Sequence, residues 1–270
     1  MTFTRRPGFA LSTGITLLGT SLMILLPLAA LALKAVHAKA GTFATVLSNP
    51  RVQTACLFSL GAALAAALFN LVWGTLIAWV LVRYPFPGRR LADALVDLPF
   101  ALPTAVAGLT LSSLYGPKGW IGHLLSFPVV YNRTGVVLAL SFVSLPFMVR
   151  SLQPVLEELP REMEEAAACL GASRWATLRR VVLPQLLPAI LSGFALSFAR
   201  AVGEYGSVVF VSGNLPFKTE IAPLLIVVKL EQYDYDGAVA LAVIMLGISL
   251  LVLAGIHLLH RRFGEARRHV

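Results

Sequence analysis

The chain has 270 residues, of which 57% are hydrophobic and only 13% are Asp, Glu, Lys or Arg, and its formal net charge is +9. A soluble domain carries about 25% charged residues, so this composition excludes a chain whose whole surface faces water. We therefore expect an integral membrane protein. The excess of Lys and Arg is explained by orientation in a membrane, and no nucleic-acid partner is expected.

Six stretches have the apolar character of a membrane span, which needs about 20 residues. They cover residues 14–33, 54–82, 98–114, 134–152, 185–211 and 237–259. The third is short and contains Pro99 and Pro103, which remove two backbone donors and predict a kinked or broken helix suited to a gate or, equally, to packing. Residues 221–228 are too few to cross alone, and we interpret them as interfacial or re-entrant. The sequence thus predicts an all-α polytopic membrane protein with six transmembrane helices.

Both ends of the chain are predicted to face the cytoplasm. With the N-terminus inside, the cytoplasmic segments hold 14 Lys and Arg residues and the outer segments hold 7. Lys and Arg collect on the cytoplasmic side of membrane proteins, so this excess sets the orientation. Arg5 and Arg6 before the first apolar run resemble the start of a signal peptide, but that run is longer than the roughly 7–15 residues of a secretory signal.

The predicted cytoplasmic loop 151–184 carries many charges of both signs. Residues 164–170 predict a helix that stops at Gly171, and residues 173–182 predict a second helix. The second helix places three apolar side chains on one face: Trp175, Leu178 and Val182. An amphipathic helix of this kind either binds a groove of another protein or lies on lipid, and the spacing alone does not choose between the two.

Seven residues of this loop resemble the EAA loop of ABC importer permeases. They are Glu165, Ala166, Ala167, Gly171, Val181, Leu183 and Pro184, with Val181 in place of the usual Ile. In that family the loop supplies the coupling helix that docks on the ATPase subunit. The resemblance therefore implies that these seven residues couple the chain to an ABC ATP-binding subunit dimer.

Four other segments look like the T-type permease of sulfate/thiosulfate ABC importers. They are residues 83–89, 97–109, 153–159 and 199–206, and the match extends over about 14–264. The resemblance implies a type I ABC importer permease (MetI-like) fold in the bacterial inner membrane. It also implies a second homologous permease subunit, in a heterodimer, and a periplasmic sulfate/thiosulfate-binding protein as partners. The Gly-Glu-Tyr-Gly element at 203–206 also resembles that of molybdate permeases, so that element alone does not choose between the two anions, whereas the full set favours sulfate.

The expected organisation has three parts. Residues 1–53 form an N-terminal tail, the first span and an external loop, residues 54–260 form the permease domain, and residues 261–270 form a basic cytoplasmic tail. The permease domain contains the loop 151–184 that the resemblance assigns to coupling.

Two charges lie inside the fifth predicted span. Arg200 and Glu204 are four residues apart, close enough to pair on one helix. Charges at this depth are costly and usually face a bundle interior or a wet cavity. The pair either borders an anion path or its gate, together with Pro99 and Pro103, or fixes helix packing.

The sequence lacks the motifs of an enzyme. It has no phosphate-binding loop of the Walker type, no metal-binding motif and no nucleophile–base pair, so no catalytic residue, metal or cofactor is predicted. His257 and His260 lie one turn apart but are interpreted as interfacial side chains, and Cys56 and Cys169 as free thiols. The expected function is a sulfate/thiosulfate permease subunit of an ATP-driven importer. The alternatives are a permease for another oxyanion such as molybdate, an ATP-independent channel, and a membrane-embedded enzyme.

Overall fold

The computed structural model describes residues 9–39 and 41–265, and within them every regular element is a helix. The α-helices are α1 Phe9–Thr20, α2 Leu26–His37, α3 Thr42–Ser48, α4 Pro50–Arg83, α5 Arg89–Val96, α6 Leu98–Ala101, α7 Thr104–Tyr115, α8 Arg133–Glu158, α9 Glu162–Cys169, α10 Arg174–Thr177, α11 Leu183–Val202, α12 Val208–Val211, α13 Ala222–Glu231 and α14 Tyr235–Glu265. This confirms the expected all-α fold. The predicted basic ends at Arg5, Arg6, Arg267 and Arg268 lie outside the described residues.

Five helices of the described chain are long and apolar enough to cross a membrane. They are Leu11–His37, Pro50–Arg83, Arg133–Glu158, Arg174–Val202 and Tyr235–Ile256. The first and fourth contain π-helical turns, at Ser21–Leu25 between α1 and α2 and at Leu178–Val182 between α10 and α11. Each coincides with a span expected from the sequence.

The third predicted span is divided into α6 and α7, as its prolines indicated. Leu102 between them is extended, with φ −86° and ψ 133°, because the residue before a proline is driven out of the helical region. The remaining helix α7 has 12 residues, or about 18 Å, against a hydrocarbon layer of about 30 Å. Non-helical backbone at this depth is tolerated where protein or a wet cavity surrounds it.

The fifth predicted span, residues 185–211, was wrong in its last third. Helix α11 ends at Val202, residues 203–207 are not helical, and α12 is a separate helix of four residues. Hydropathy missed this break because the side chains stay mostly apolar to Val211 while the backbone turns at Gly203 and Gly206.

Helices α4, α8 and α11 form the centre of the bundle. On α4 a stripe of small residues is buried, which permits close approach of the neighbouring helices: Ala62, Ala63, Ala66 and Ala67. Met148 of α8 fits between two glycines of its neighbours. A methyl group placed on Gly74 would lie 2.8 Å from Met148 Cγ, and one placed on Gly193 would lie 2.8 Å from Met148 Sδ. The two glycines therefore form the slot that Met148 fills.

The first span lies at the periphery. None of the 18-residue apolar window within Leu11–His37 is buried, and α2 contacts the rest of the bundle at α14. The predicted short element at 221–228 is helix α13, which has 10 residues and buries Ala222, Leu224 and Leu225. The first span thus offers its apolar surface to lipid or to another protein.

Candidate functional site

Helix α9 ends in a turn that only glycine adopts easily. The N–H of Gly171 donates to Ala168 O at 2.9 Å, and the N–H of Ala172 donates to Ala167 O at 3.0 Å. This is the Schellman pattern, in which the residue after the cap takes a left-handed conformation. Gly171 does so, with φ +82°. The glycine of the EAA-like pattern therefore sets the direction in which the chain leaves α9.

The second helix of this loop begins where the sequence predicted it. The Ser173 hydroxyl accepts a hydrogen bond from the Ala176 N–H at 3.3 Å and caps α10. The predicted helix 173–182 is α-helical only at Arg174–Thr177, and it continues as a π-turn directly into α11. Helix α10 and the fifth span thus form one continuous helical segment, so α10 is joined to α11 without a loop.

The predicted apolar face of this helix was wrong at Val182, which is buried. Val182 is 1% exposed, Leu178 is half-buried, and Trp175 is 69% exposed. Val182 packs inward because the segment enters the bundle at the π-turn. The exposed apolar surface is formed instead by Trp175 and by Leu170, which is 89% exposed at the end of α9.

The seven EAA-like residues all lie on the segment 160–184, which we call the coupling segment. Glu165, Ala166, Gly171 and Leu183 are exposed, whereas Ala167, Val181 and Pro184 are half-buried. The exposed positions thus lie on α9, in the turn after it and at the start of α11.

The coupling segment is also attached to the end of α4. Arg83 Nη2 lies 2.8 Å from Glu164 Oε1, and the Arg83 guanidinium lies 5.6 Å from the centre of the Trp79 ring. A groove of about 410 Å³ separates α9 and α10 from Trp79 and Tyr84. The Arg83–Glu164 pair therefore connects α9 to a second membrane helix.

Arg200 and Glu204 form the predicted pair, with Arg200 Nη1 2.6 Å from Glu204 Oε2. The other oxygen of Glu204 accepts hydrogen bonds from the Ser207 N–H and hydroxyl, both at 2.9 Å. Glu204 is 3% exposed, whereas Arg200 is 31% exposed. The carboxylate thus stabilises the break after α11, and the guanidinium keeps part of its surface free.

The breaks in the third and fifth predicted spans lie against each other. A methyl group on Gly108 of α7 would collide with the Ser207 carbonyl oxygen, and one on Gly206 would collide with the Thr104 hydroxyl. Pro103, beside Thr104, is exposed, whereas Pro99 is buried in α6. We call residues 97–108 with 200–208 the broken-helix region. The structure brings α7 and the fifth-span break together there.

Sequence reasoning missed a charged network at Arg150. Its Nε donates to Asp97 at 2.8 Å and its Nη1 to Asp93 at 2.7 Å, and Gln153 also donates to Asp93 at 2.9 Å. The Gln153 hydrogen bond, together with the Arg150 guanidinium, holds the pKa of the Asp93 carboxyl below its ordinary value. The sequence feature that pointed to this network was the i, i+4 spacing of the two aspartates, but their partner Arg150 lies more than 50 residues further along the chain.

Sequence reasoning also missed a polar junction at the centre of the bundle. Asn70 of α4 is fully buried, and its Nδ2 lies 3.1 Å from Ser141 O, 2.9 Å from Ser144 Oγ and 3.1 Å from Ser197 Oγ. These contacts join α4, α8 and α11. The sequence feature that pointed to this junction was an asparagine, Asn70, within a predicted span that has no charged residue.

Another ion pair joins α4 to the turn before α13. The Arg51 guanidinium binds Glu220 with two parallel hydrogen bonds, of 2.8 and 2.6 Å, and Glu220 is 3% exposed. A bidentate pair of this kind fixes geometry as well as charge. It holds the 212–221 turn to the start of α4.

No catalytic or metal constellation occurs in the part of the chain that the structure describes. No three of its His, Cys, Asp and Glu residues could jointly hold a metal ion. Cys56 and Cys169 are free, as predicted, with Cys56 buried and Cys169 exposed. The side chains of His257 and His260 lie outside the described residues.

The chain matches the family of binding-protein-dependent transport system inner membrane components over residues 70–265. It is 50% identical over 262 residues to the sulfate transport system permease protein CysT of Escherichia coli, covering 96% of this chain and 95% of the relative. It is 48% identical to the CysT protein of Synechocystis, covering 92% and 87%. A probable sulfate permease of Nephroselmis olivacea is 54% identical, covering 90% and 87%.

Solved structures share the fold. One is a bacterial ABC transporter that imports the acidic polysaccharide alginate, with a TM-score of 0.78 at 15% identity, covering 95% of this chain and 96% of the other. Another is a bacterial alginate ABC transporter in complex with an alginate pentasaccharide-bound periplasmic protein, with a TM-score of 0.76 at 16% identity, covering 95% of each chain. At these identities the likeness establishes the architecture alone.

Proposed function

Because the chain belongs to the family of binding-protein-dependent transport system inner membrane components, we propose that it is the membrane-spanning permease subunit of an ATP-driven importer of sulfate. The observation that carries this proposal is 50% identity to a sulfate permease protein over 96% of the chain. The chain is a transport subunit and not an enzyme. Energy for concentrative uptake then comes from ATP hydrolysed on another polypeptide.

The partners in this proposal are two ATP-binding subunits, a second homologous permease that makes a heterodimer, and a periplasmic binding protein for sulfate or thiosulfate. Exposed Leu170 and Trp175 supply an apolar contact for an ATP-binding subunit. The alginate transporter, which shares the fold, has been solved in complex with its periplasmic protein. The first span, which is unburied in the isolated chain, has surface available to the second permease or to lipid.

The mechanism follows from the connections of the coupling segment. When ATP closes the ATP-binding subunits, the two coupling segments of the dimer are drawn together. Helix α10 continues into α11, so the displacement reaches the far end of α11, where Arg200 and the break lie. The Arg83–Glu164 pair carries the same displacement to α4. The spans then rock from an inward-open to an outward-open state.

The proposed anion path passes the broken-helix region. The partly free Arg200 guanidinium borders the path, and Glu204 holds it in place. Pro99 and Pro103 keep α6 and α7 separate, so their backbone groups can change partners during the cycle. Both termini lie in the cytoplasm in this proposal, which the distribution of Lys and Arg supports. The proposal also assigns residues 1–53 to a tail, the first span and an external loop, residues 54–260 to the permease domain, and residues 261–270 to a basic cytoplasmic tail.

Transport assays test the proposal directly. The chain is co-expressed with the ATP-binding subunit and the second permease that the proposal assigns to it, purified, and reconstituted in liposomes with the binding protein on one side and ATP on the other. We expect ATP-dependent accumulation of radiolabelled sulfate, suppressed by unlabelled thiosulfate. Accumulation of molybdate but not of sulfate would assign the subunit to a different oxyanion, and uptake without ATP would indicate a channel.

A further inference from the structure

A second cavity lies at the start of the coupling segment, and the transport mechanism above assigns no ligand to it. It has a volume of about 400 Å³ and lies between the end of α4, the start of α5, the end of α8 and the start of α9. Three arginines line it: Arg83, Arg89 and Arg161. Two carboxylates, Glu157 and Glu162, also line it, so the lining carries more positive than negative charge. We call it the arginine cavity.

The positive charges of this cavity are incompletely neutralised. Arg89 and Arg161 are exposed, and neither lies within ion-pair distance of a carboxylate of the described chain, although Arg89 acts on Asp93 at longer range. The Arg83 side chain is only 10% exposed, and its ion pair is with Glu164, which does not line the cavity. Arg83 Nη2 is paired with Glu164 Oε1 at 2.8 Å, whereas the buried Arg83 Nε has no hydrogen-bond partner in the described chain. A buried donor without an acceptor is costly, so the arrangement lacks an acceptor that a ligand would supply.

We propose that the arginine cavity binds a tetrahedral oxyanion of the sulfate or phosphate type. The planar guanidinium fork matches two oxygens of such an anion, and three arginines around one cavity match its several oxygens. The anion comes either from solution on the coupling-segment side or from the phosphate of a lipid headgroup. Trp79 and Tyr84 lie at the same end of α4, where aromatic side chains mark a membrane interface.

Binding here has a consequence for coupling. The lining joins the end of α4 and the start of α5 to Arg161 and Glu162 at the start of α9. An anion held between these arginines would tie the coupling segment to the α4–α5 turn and so restrict its movement. This inference concerns a site on the chain's own surface and does not depend on which anion the importer carries.

The test compares the full-length chain with two variants. One carries Arg89→Gln and Arg161→Gln, both exposed positions that should leave folding intact. The control carries Arg90→Gln, an exposed arginine adjacent to Arg89 that does not line the cavity. The thermal midpoint is measured in lipid-free detergent with sulfate, phosphate or chloride at equal ionic strength. Native mass spectrometry then measures retention of phosphatidylglycerol against phosphatidylcholine.

We expect the wild type and the control to respond alike, and the double variant to need about tenfold more anion for the same stabilisation or to lose bound phosphatidylglycerol. A difference in the detergent arm alone identifies a soluble oxyanion, and one in the lipid arm alone identifies a headgroup phosphate. A third variant, Arg83→Lys, keeps the charge beside Glu164 and removes the fork, and it should weaken binding too. Equal behaviour of the double variant and the control in both arms would overturn the proposal.

Discussion

The backbone at Gly171 shows how one residue sets the shape of the coupling segment. Its φ of +82° is one that L side chains rarely adopt, yet a methyl group there would meet no other atom within 4 Å. The constraint on this position is therefore conformational and does not arise from crowding. The sequence pattern located the glycine, and the hydrogen bonds of the turn explain why it is needed.

We predict that Gly171→Val uncouples ATP hydrolysis from sulfate uptake. The left-handed conformation costs an L residue about 1–2 kcal/mol, so the turn would relax and the two short helices would lose their alignment. ATPase activity of the complex should persist while uptake falls several-fold. Gly61→Val on the surface of α4, where nothing lies within 4 Å and φ is ordinary, is the control. Normal coupling in Gly171→Val would count against the docking role of the segment.

The Arg200–Glu204 pair is asymmetric in burial, which gives the two residues different roles. Glu204 is 3% exposed and uses both oxygens within the protein, whereas Arg200 is 31% exposed and makes one hydrogen bond. Glu204 therefore serves the local structure. Arg200 retains donors that can face an anion.

We predict that Arg200→Ala lowers uptake to about a tenth, a change that corresponds to about 1.4 kcal/mol. Membrane insertion and assembly with the ATP-binding subunits should stay intact, because Ser207 still holds Glu204. Uptake and copurification are measured on the same preparations, with Arg200→Lys as the charge-conserving comparison. Unchanged uptake in Arg200→Ala would refute a role at the path.

At the scale of helices, the sequence predicted where apolar segments lie better than where they break. Pro103 predicted the division between α6 and α7, since proline restricts the backbone of the residue before it. The end of α11 at Val202 could not be inferred from the sequence. It depends on the hydrogen bond from the Ser207 N–H to the Glu204 carboxylate and on the close approach of Gly108 to the backbone of Ser207. Contacts between segments distant in sequence decided the second break.

The three-helix junction at Asn70 gives a prediction about stability. Asn70→Ala removes the amide that lies against Ser144 and Ser197. The two serine hydroxyls then stay buried without this partner, which costs about 1–3 kcal/mol. The thermal midpoint of the purified chain should fall accordingly. Thr75→Val on the same helix loses only a bond within its own helix and should change the midpoint much less. Equal midpoints for Asn70→Ala and wild type would mean that the junction does not stabilise the bundle.

The Asp93–Arg150–Gln153 network predicts a dependence on pH. Since the pKa of Asp93 is lower in the folded chain, its stabilising contribution is present above the ordinary aspartate pKa of about 3.9 and is lost as pH falls through the lower folded value. The thermal midpoint should therefore drop below about pH 4. Asp93→Asn should lower the midpoint at pH 7 and weaken this acid dependence. A variant at exposed Glu231, Glu231→Gln, serves as the control.

At the scale of the whole molecule, the EAA-like residues and the family resemblance predicted more than composition did. Composition and hydropathy predicted a membrane protein with six apolar stretches. The partnership with an ATP-binding subunit was predicted from the resemblance of seven residues of one loop to the EAA loop. The exposed contact surface was predicted only in part, since Val182 turned out to be buried and Leu170 to be exposed. The entry of the segment into the bundle, which burial of Val182 reflects, is a property of the tertiary structure.

The central claim is that the coupling segment contacts an ATP-binding subunit, and Cys169 allows a direct test. Its thiol is exposed on α9, whereas the other cysteine, Cys56, is buried. A photoreactive maleimide placed on Cys169 in the assembled complex should form a covalent link to the ATP-binding subunit on illumination. The control moves the thiol to the exposed Trp120 on another surface, with Trp120→Cys in a Cys169→Ser background, and should not form that link. A probe on Cys169 that labels only lipid or detergent, in complexes that contain the ATP-binding subunit, would contradict the account.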